Sequence, residues 1–120
     1  MRLHSLLKSK LHHARITYAN PDYIGSIEID ADIMREAGIL DGELVHVWAV
    51  DHTARIQTYA FSGPKGVVGM NGGAAFHFEK GDRLIIAAFT LTDEPVTPRI
   101  LLLGESNEIV RDLSPHNVLG

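Results

Sequence analysis

The chain has 120 residues, of which 45% are hydrophobic, and this is enough for one core because domains typically contain ~100–150 residues. Its formal net charge of −4 argues against the basic surface that nucleic-acid binding requires, and the lack of cysteine excludes disulfides and thiolate catalysis. No apolar run reaches the ~18–20 residues of a membrane span, and residues 1–10 do not form a secretory signal. We therefore expect a single-domain, cytoplasmic protein without nucleic-acid or membrane partners.

The first third of the chain predicts two strands and one helix. Residues 14–18 alternate loosely and predict a strand that enters a turn at residues 20–22, Asn-Pro-Asp. Residues 26–29 predict a second strand with both isoleucines on one face. A short helix then follows, because Asp30 is a typical N-cap and Gly38 is typical of the position just after a helix.

The rest of the chain is dominated by β signals. Segments rich in β-branched and aromatic residues predict strands at residues 44–50, 55–61, 84–89 and 100–103. Residues 111–120 show little periodicity, and we expect a loose tail there. The pattern predicts a mainly β fold with one or two short helices.

Two of these strands begin in the same way. Residues 41–45 and residues 80–84 each place a glycine and an acidic residue before an apolar strand. This similarity indicates either an internal repeat or two independent turns, because Gly-Asp and Gly-Glu are common turn pairs.

One dipeptide carries potential chemistry. Gly25 precedes Ser26, and glycine adopts strained backbone geometry at low cost, so the serine hydroxyl can attack the preceding carbonyl and form an ester. Elimination and hydrolysis would then cut the chain and leave a ketone on residue 26. A Gly-Ser pair alone is most often an ordinary turn.

Three further segments accompany this dipeptide at a characteristic spacing: Lys-Leu-His at residues 10–12, Arg-Ile-Gln-Thr-Tyr at 55–59 and Met-Asn-Gly-Gly-Ala-Ala at 70–75. In this order the segments resemble the pyruvoyl-dependent aspartate 1-decarboxylases, which make β-alanine for pantothenate synthesis. The resemblance covers about residues 2–107. It implies a six-stranded double-psi β-barrel, and a homotetramer with active sites at subunit interfaces.

The resemblance also implies a covalent pyruvoyl cofactor made from Ser26, with cleavage into residues 1–25 and residues 26–120. Such a ketone forms a Schiff base with a substrate amine and accepts electrons as carbon dioxide leaves, so neither pyridoxal phosphate nor a metal is needed. Thr58 would contact the substrate and stabilise an oxyanion near the ketone, and Tyr59 would return a proton to the product. The implied ligands of the L-aspartate carboxylates are Arg55, with its planar fork, and Lys10.

The glycine-rich segment is implied to lie against the substrate through Gly72, Gly73 and Ala74, with Asn71 in support. It is neither a dinucleotide fingerprint nor a P-loop. Family members usually have alanine at the position of Gly73, and the loop at residues 63–69 is about two residues shorter than usual. Both departures bear on substrate identity.

Seven histidines do not show the spacing of a metal site. His12 and His13 are expected to point to opposite faces of a strand. The resemblance also matches His12, Tyr23 and Trp48 to supporting positions, although burial alone explains a tryptophan.

The sequence leaves three functions open. The first is a self-processing aspartate 1-decarboxylase, a carbon-carbon lyase, which matures with or without a helper protein. The second is an uncleaved, non-catalytic β-barrel of the same family that serves in binding or assembly. The third is a pyruvoyl decarboxylase for another amino acid.

Overall fold

The computed structural model describes residues 1–114 of the chain. Within this range it contains nine strands, one α-helix and one 3₁₀ helix. The elements are β1 (His4–Arg15), β2 (Tyr18–Asn20), β3 (Ser26–Asp30), α1 (Ala31–Ala37), β4 (Leu44–Ala49), β5 (Arg55–Gly63), β6 (Val68–Asn71), the 3₁₀ helix (Gly72–His77), β7 (Arg83–Thr92), β8 (Arg99–Leu103) and β9 (Ile109–Asp112). The prediction of a mainly β fold with one or two short helices is confirmed.

The strands form one sheet in the order β2-β6-β3-β5-β4-β7-β1-β8-β9. The pairs β2/β6, β3/β5 and β1/β8 are parallel, and the other neighbours are antiparallel. Parallel neighbours need crossover connections, so this order brings segments that are distant in sequence side by side.

Alternation along the strands separates a core face from an outer face. Fully buried side chains of the core include Leu11, Ile27, Ile29, Val45, Val47, Leu84 and Ile86. Burial of each such side chain stabilises the fold by roughly 1.5–3 kcal/mol. The residues between them in sequence face outward, and this outer face carries most of the candidate site.

The predicted helix is confirmed, with both of its ends. The Asp30 carboxylate accepts hydrogen bonds from the backbone N–H of Asp32 and Ile33, as an N-cap residue does. Gly38 closes the helix in the left-handed conformation, with φ of 77°. The second Asp30 oxygen accepts from Gly66 N at 2.8 Å, so this residue also ties α1 to the loop before β6.

The turns before β4 and β7, which are similar in sequence, make equivalent backbone hydrogen bonds. Gly42 N donates to Ala60 O at 2.7 Å, and Gly81 N donates to Ile16 O at 2.8 Å. Both glycines have positive φ, 83° and 94°, which glycine adopts without strain. The strands that the turns begin, β4 and β7, pair with each other. This equivalence favours the internal repeat over two independent turns.

The number of strands was predicted wrongly, as nine are present in residues 1–114 instead of six. The predicted strand at residues 14–18 is divided between β1 and β2, because Ile16 N donates to Asp82 O whereas Thr17 N donates to Val68 O. The change of partner ends one strand and starts another. The first two residues of β6 fall within residues 63–69, which the sequence indicates as a loop.

The C-terminal prediction was partly wrong. Arg111 and Asp112 belong to β9, which pairs with β8 instead of forming a loose tail. Residues 115–120 lie outside the described part of the chain.

Candidate active site

Ser26 is the first residue of β3, and Gly25 lies in the connection just before it. In the antiparallel pairing of β3 with β6, Ser26 is the partner of Asn71. The Asn71 side-chain nitrogen, Nδ2, donates to Ser26 Oγ at 3.4 Å. The preceding turn is as predicted, with Asp22 N donating to the Asn20 side-chain oxygen at 3.0 Å. The candidate nucleophile is therefore held at the end of a strand, beside a turn.

Gly72 lies against the backbone of Gly25, the residue before the candidate nucleophile. It has φ of 76°, and a Cβ atom at this position would lie 2.5 Å from Gly25 Cα. The glycine is required both by the backbone conformation and by the close approach. Gly73 is exposed, and nothing lies within 4 Å of a Cβ atom placed on it. Ala74 packs against the core. The glycine-rich segment begins a 3₁₀ helix, Gly72–His77.

Two residues outside the predicted set complete this site. Tyr18 Oη donates to the Glu28 carboxylate at 3.0 Å and accepts from Asn71 Nδ2 at 3.1 Å. Burial raises the pKa of the Tyr18 phenol, and the Glu28 carboxylate adds to this effect. One local signal could have found Glu28, because it lies two positions after Ser26 on the same face of a strand. Nothing local points to Tyr18.

An open cleft of about 790 Å³ lies beside this network. Its lining consists of Tyr18, Ala19, Asn20, Tyr23, Ile24, Glu28 and Asn71. The predicted supporting residue Tyr23 therefore lies in the wall of the cleft, where it is 65% exposed. None of the predicted substrate cations lines this cleft within the described part of the chain.

The register of β5 against β3 locates Thr58 and Tyr59. The parallel pairing of β3 with β5 begins at Ile27 and Ala60. Extending this register back by one residue places Ser26 level with Tyr59, and a second step places Gly25, which precedes β3, level with Thr58. Aligned residues in neighbouring strands share a face. Tyr59 is thus on the outer face together with Ser26. Thr58 is next to Gly25 in register but faces the other side of β5, toward buried Val45.

The remaining predicted residues lie further along the outer face. Trp48 pairs with Arg55 across β4 and β5, and the Arg55 guanidinium lies over the Trp48 ring, 5.5 Å from its centroid. The same row continues through Ile85 to His12 on β1. Lys10 lies in the adjacent row of β1. Residues 1–114 contain no carboxylate that forms an ion pair with Arg55 or Lys10.

Aromatic side chains cover part of the same surface. Tyr59 and Phe61 contact each other edge to face, with ring centroids 5.7 Å apart, yet they remain 40% and 44% exposed. Phe89 packs edge to face against His46 at 5.1 Å. Contiguous exposed apolar side chains of this kind mark interaction surfaces.

The expected arrangement of His12 and His13 was wrong. Their rings stack, with centroids 4.0 Å apart, instead of pointing to opposite faces. The cause is an irregularity in β1 between His12 and Ala14, where His13 adopts φ of 65° and breaks the alternation. Burial lowers the pKa of His12, and the nearby His13 and Lys10 lower it further.

The described residues hold neither a metal-binding cluster nor a membrane-spanning helix. Within residues 1–114, no three histidine, aspartate or glutamate side chains come together as a metal site would require. No helix there is long and apolar enough to cross a membrane.

The fold and the site together define a class: a small, mainly β protein with a glycine-backed Gly-Ser bond at the start of a strand. The chain belongs to the aspartate decarboxylase family, whose family model matches residues 1–110.

Similar proteins cover nearly all of the chain. The aspartate 1-decarboxylase of Hyphomonas neptunium is 47% identical over 113 residues, which are 89% of this chain and 96% of that protein. The aspartate 1-decarboxylase of Thermotoga petrophila is 45% identical over 112 residues, covering 92% and 98%. That of Exiguobacterium sibiricum is 43% identical over 118 residues, covering 93% of each chain.

Proposed function

We propose that this protein is an aspartate 1-decarboxylase, a carbon-carbon lyase that converts L-aspartate to β-alanine and carbon dioxide. β-Alanine is a precursor of pantothenate. The observation that carries the proposal is the placement of Ser26 and Gly25 in a chain of this family: the serine hydroxyl is held by Asn71, and the scissile bond is backed by Gly72.

Maturation proceeds by cleavage of the Gly25–Ser26 bond. Ser26 Oγ attacks the Gly25 carbonyl carbon, its proton passes to the departing Ser26 nitrogen, and an ester replaces the amide. Loss of the Cα proton of residue 26 then breaks the Cβ–Oγ bond, and Gly25 leaves as a carboxylate. Addition of water and release of ammonia convert the resulting alkene to a ketone. The net reaction consumes one water and yields one ammonia.

The residues present fit this chemistry. A side chain at residue 72 would collide with Cα and N of Gly25, so the absence of one lets Gly25 keep its position next to Ser26. Asn71 supplies a hydrogen-bond donor at Ser26 Oγ. Thr58 is proposed to supply a hydroxyl for the oxyanion that develops on the carbonyl, and this requires its side chain, which faces Val45 in the structure, to turn toward Gly25.

The covalent pyruvoyl group, once formed, supplies the electron sink for loss of carbon dioxide. The remaining steps belong to side chains. Tyr59 holds a proton on its phenolic oxygen, on the same face as Ser26, and is the proton donor to the substrate carbon. Arg55, without an ion-pair partner in residues 1–114, binds a substrate carboxylate through its planar fork.

We further propose that the active site is completed by a second copy of the chain in a homotetramer. Ser26 is on β3 and Lys10 on β1, and these strands are four positions apart in the sheet. This separation does not suit one small dicarboxylate. The exposed Tyr59 and Phe61 rings beside Ser26 supply an apolar surface for the other copy.

Intact-mass analysis tests the maturation step. The wild-type protein should yield one fragment that ends at Gly25 and another that begins with a ketone on residue 26, with release of ammonia. Ser26→Ala should remain uncut. The matured protein should form β-alanine and carbon dioxide from L-aspartate. A wild-type chain that stays intact after prolonged warming, with and without cell extract, would instead support the non-catalytic barrel.

Complementation tests the shared site. Lys10→Ala and Tyr59→Phe chains, each weak alone, should regain activity when they are co-expressed, because some sites then receive both wild-type residues. If the purified protein is monomeric by light scattering and fully active, the shared site is wrong while decarboxylation stands.

A further inference from the structure

We propose that Tyr18 and Glu28 are positioning residues for maturation: through Asn71 they orient the hydroxyl of Ser26 for attack on Gly25. This inference rests on the proposed self-cleavage. It concerns a series of hydrogen bonds that connects Glu28 to Ser26 through Tyr18 and Asn71.

Charge determines the direction of this chain. A carboxylate only accepts hydrogen bonds, so the Tyr18 hydrogen points to Glu28 Oε1, 3.0 Å away. The Tyr18 oxygen is then left as an acceptor for Asn71, at 3.1 Å. Only the NH₂ half of the Asn71 amide can donate, so the amide presents Nδ2 and not Oδ1 to Ser26 Oγ.

This orientation of the Asn71 amide is unfavourable for its own oxygen atom. The residue is 7% exposed, and its Oδ1 is buried without a hydrogen-bond partner among the described residues. A buried acceptor left unpaired is unfavourable by about 1–3 kcal/mol. The opposite orientation would place Oδ1 against the Tyr18 oxygen, whose hydrogen is already donated to Glu28. The carboxylate therefore selects the orientation that serves Ser26.

Two glycines make room for the chain. The Tyr18 ring lies on Gly69, where a Cβ atom would overlap ring atoms Cε2 and Cζ. The Glu28 side chain lies on Gly63, where a Cβ atom would overlap Cγ. Gly69 lies in β6 and Gly63 lies in β5. The side chains of Tyr18 and Glu28 are therefore packed against strands of the sheet.

An N–H group on Ser26 Oγ assists two steps of maturation. During attack it stabilises the negative charge that develops on Oγ as the hydroxyl proton leaves. In the later elimination the same oxygen departs from Cβ as part of the Gly25 carboxylate, and the donor stabilises that charge as well. An oxygen atom of Asn71 in this place would repel the charge in both steps.

The rate of cleavage tests the proposal, followed by intact mass from freshly purified, uncut protein. We expect Tyr18→Phe and Glu28→Met each to slow cleavage by about 3- to 10-fold, the effect of one hydrogen bond, because methionine keeps the length of the side chain but has no oxygen to accept from Tyr18. The double variant should be no slower than Tyr18→Phe, because Glu28 acts through Tyr18. Glu94→Met, at an exposed carboxylate in the connection after β7, is the matched control and should cleave at the wild-type rate.

Several outcomes would overturn the inference. One is wild-type cleavage by Glu28→Met, which is the deciding variant if Tyr18→Phe melts well below the wild type. Another is a double variant that is slower by the product of the two single effects, since this would mean independent structural roles. A wild-type chain that never cleaves removes the proposed function itself, so the two failures are distinguishable.

Discussion

Gly72 lies directly against Gly25, and a Cβ atom on residue 72 would stand 2.5 Å from Gly25 Cα and 2.7 Å from Gly25 N. The next residue, Gly73, has nothing within 4 Å of the equivalent position. Two adjacent glycines therefore have opposite tolerances for a methyl group, and they form a matched pair for mutagenesis.

Gly72→Ala should both destabilise the protein and impair maturation. The positive φ and the overlap with Gly25 should lower the free energy of unfolding by about 1–3 kcal/mol. Displacement of Gly25 should slow cleavage by at least about tenfold. Thermal melts and a mass time course measure both effects. Gly73→Ala should leave stability and cleavage unchanged, and equal effects of the two substitutions would contradict the proposed contact.

Arg55→Lys should weaken aspartate binding with little effect on cleavage. Lysine retains the charge but loses the bidentate fork, so KM should rise by about tenfold or more. Steady-state kinetics on fully matured protein measures this. Arg35→Lys, an exposed arginine on α1, is the control and should behave as wild type. An unchanged KM for Arg55→Lys would exclude a carboxylate-binding role.

Tyr59→Phe should mature normally and then turn over roughly 10²–10⁴-fold more slowly, because the proton donor is lost while the ring remains. KM should change little. The measurement is kcat after the extent of cleavage has been established by mass. Near-normal kcat in the phenylalanine variant would mean that another group returns the proton.

Activity should not depend on any dissociable cofactor. If the electron sink is covalent, the matured protein should retain full activity after exhaustive dialysis against a metal chelator without pyridoxal phosphate. The β-alanine formation rate before and after dialysis is the measurement. Loss of activity that is restored by pyridoxal phosphate would refute the covalent group.

Asp30→Ala should be strongly destabilising, because the Asp30 carboxylate accepts hydrogen bonds from two separate parts of the fold. It caps α1 and also accepts from Gly66 N at 2.8 Å. Loss of the cap and of the second bond should lower the free energy of unfolding by about 2–3 kcal/mol. Urea unfolding measures the change. Asp32→Ala, an exposed acidic residue in the same helix, should cost far less; equal losses would contradict the role of the second contact.

Features that depend on neighbouring residues in the chain were predictable. Asp30 and Gly38 mark the helix because capping is a local interaction, and the apolar segments around Val45 and Ile86 mark β4 and β7 because propensity and burial act within a strand. The Gly-Ser pair and its accompanying segments indicated the family, and the family model matches residues 1–110.

Only the tertiary structure decided which strands pair, and in what register. The division between β1 and β2, the stacking of His12 on His13 and the short β6 all follow from hydrogen bonds to partners far away in sequence. The contact between Tyr18 and Asn71, which are 53 residues apart in the sequence, has the same origin, since β2 and β6 pair in parallel. Such contacts depend on packing energy summed over the whole sheet, so no local pattern of residues encodes them.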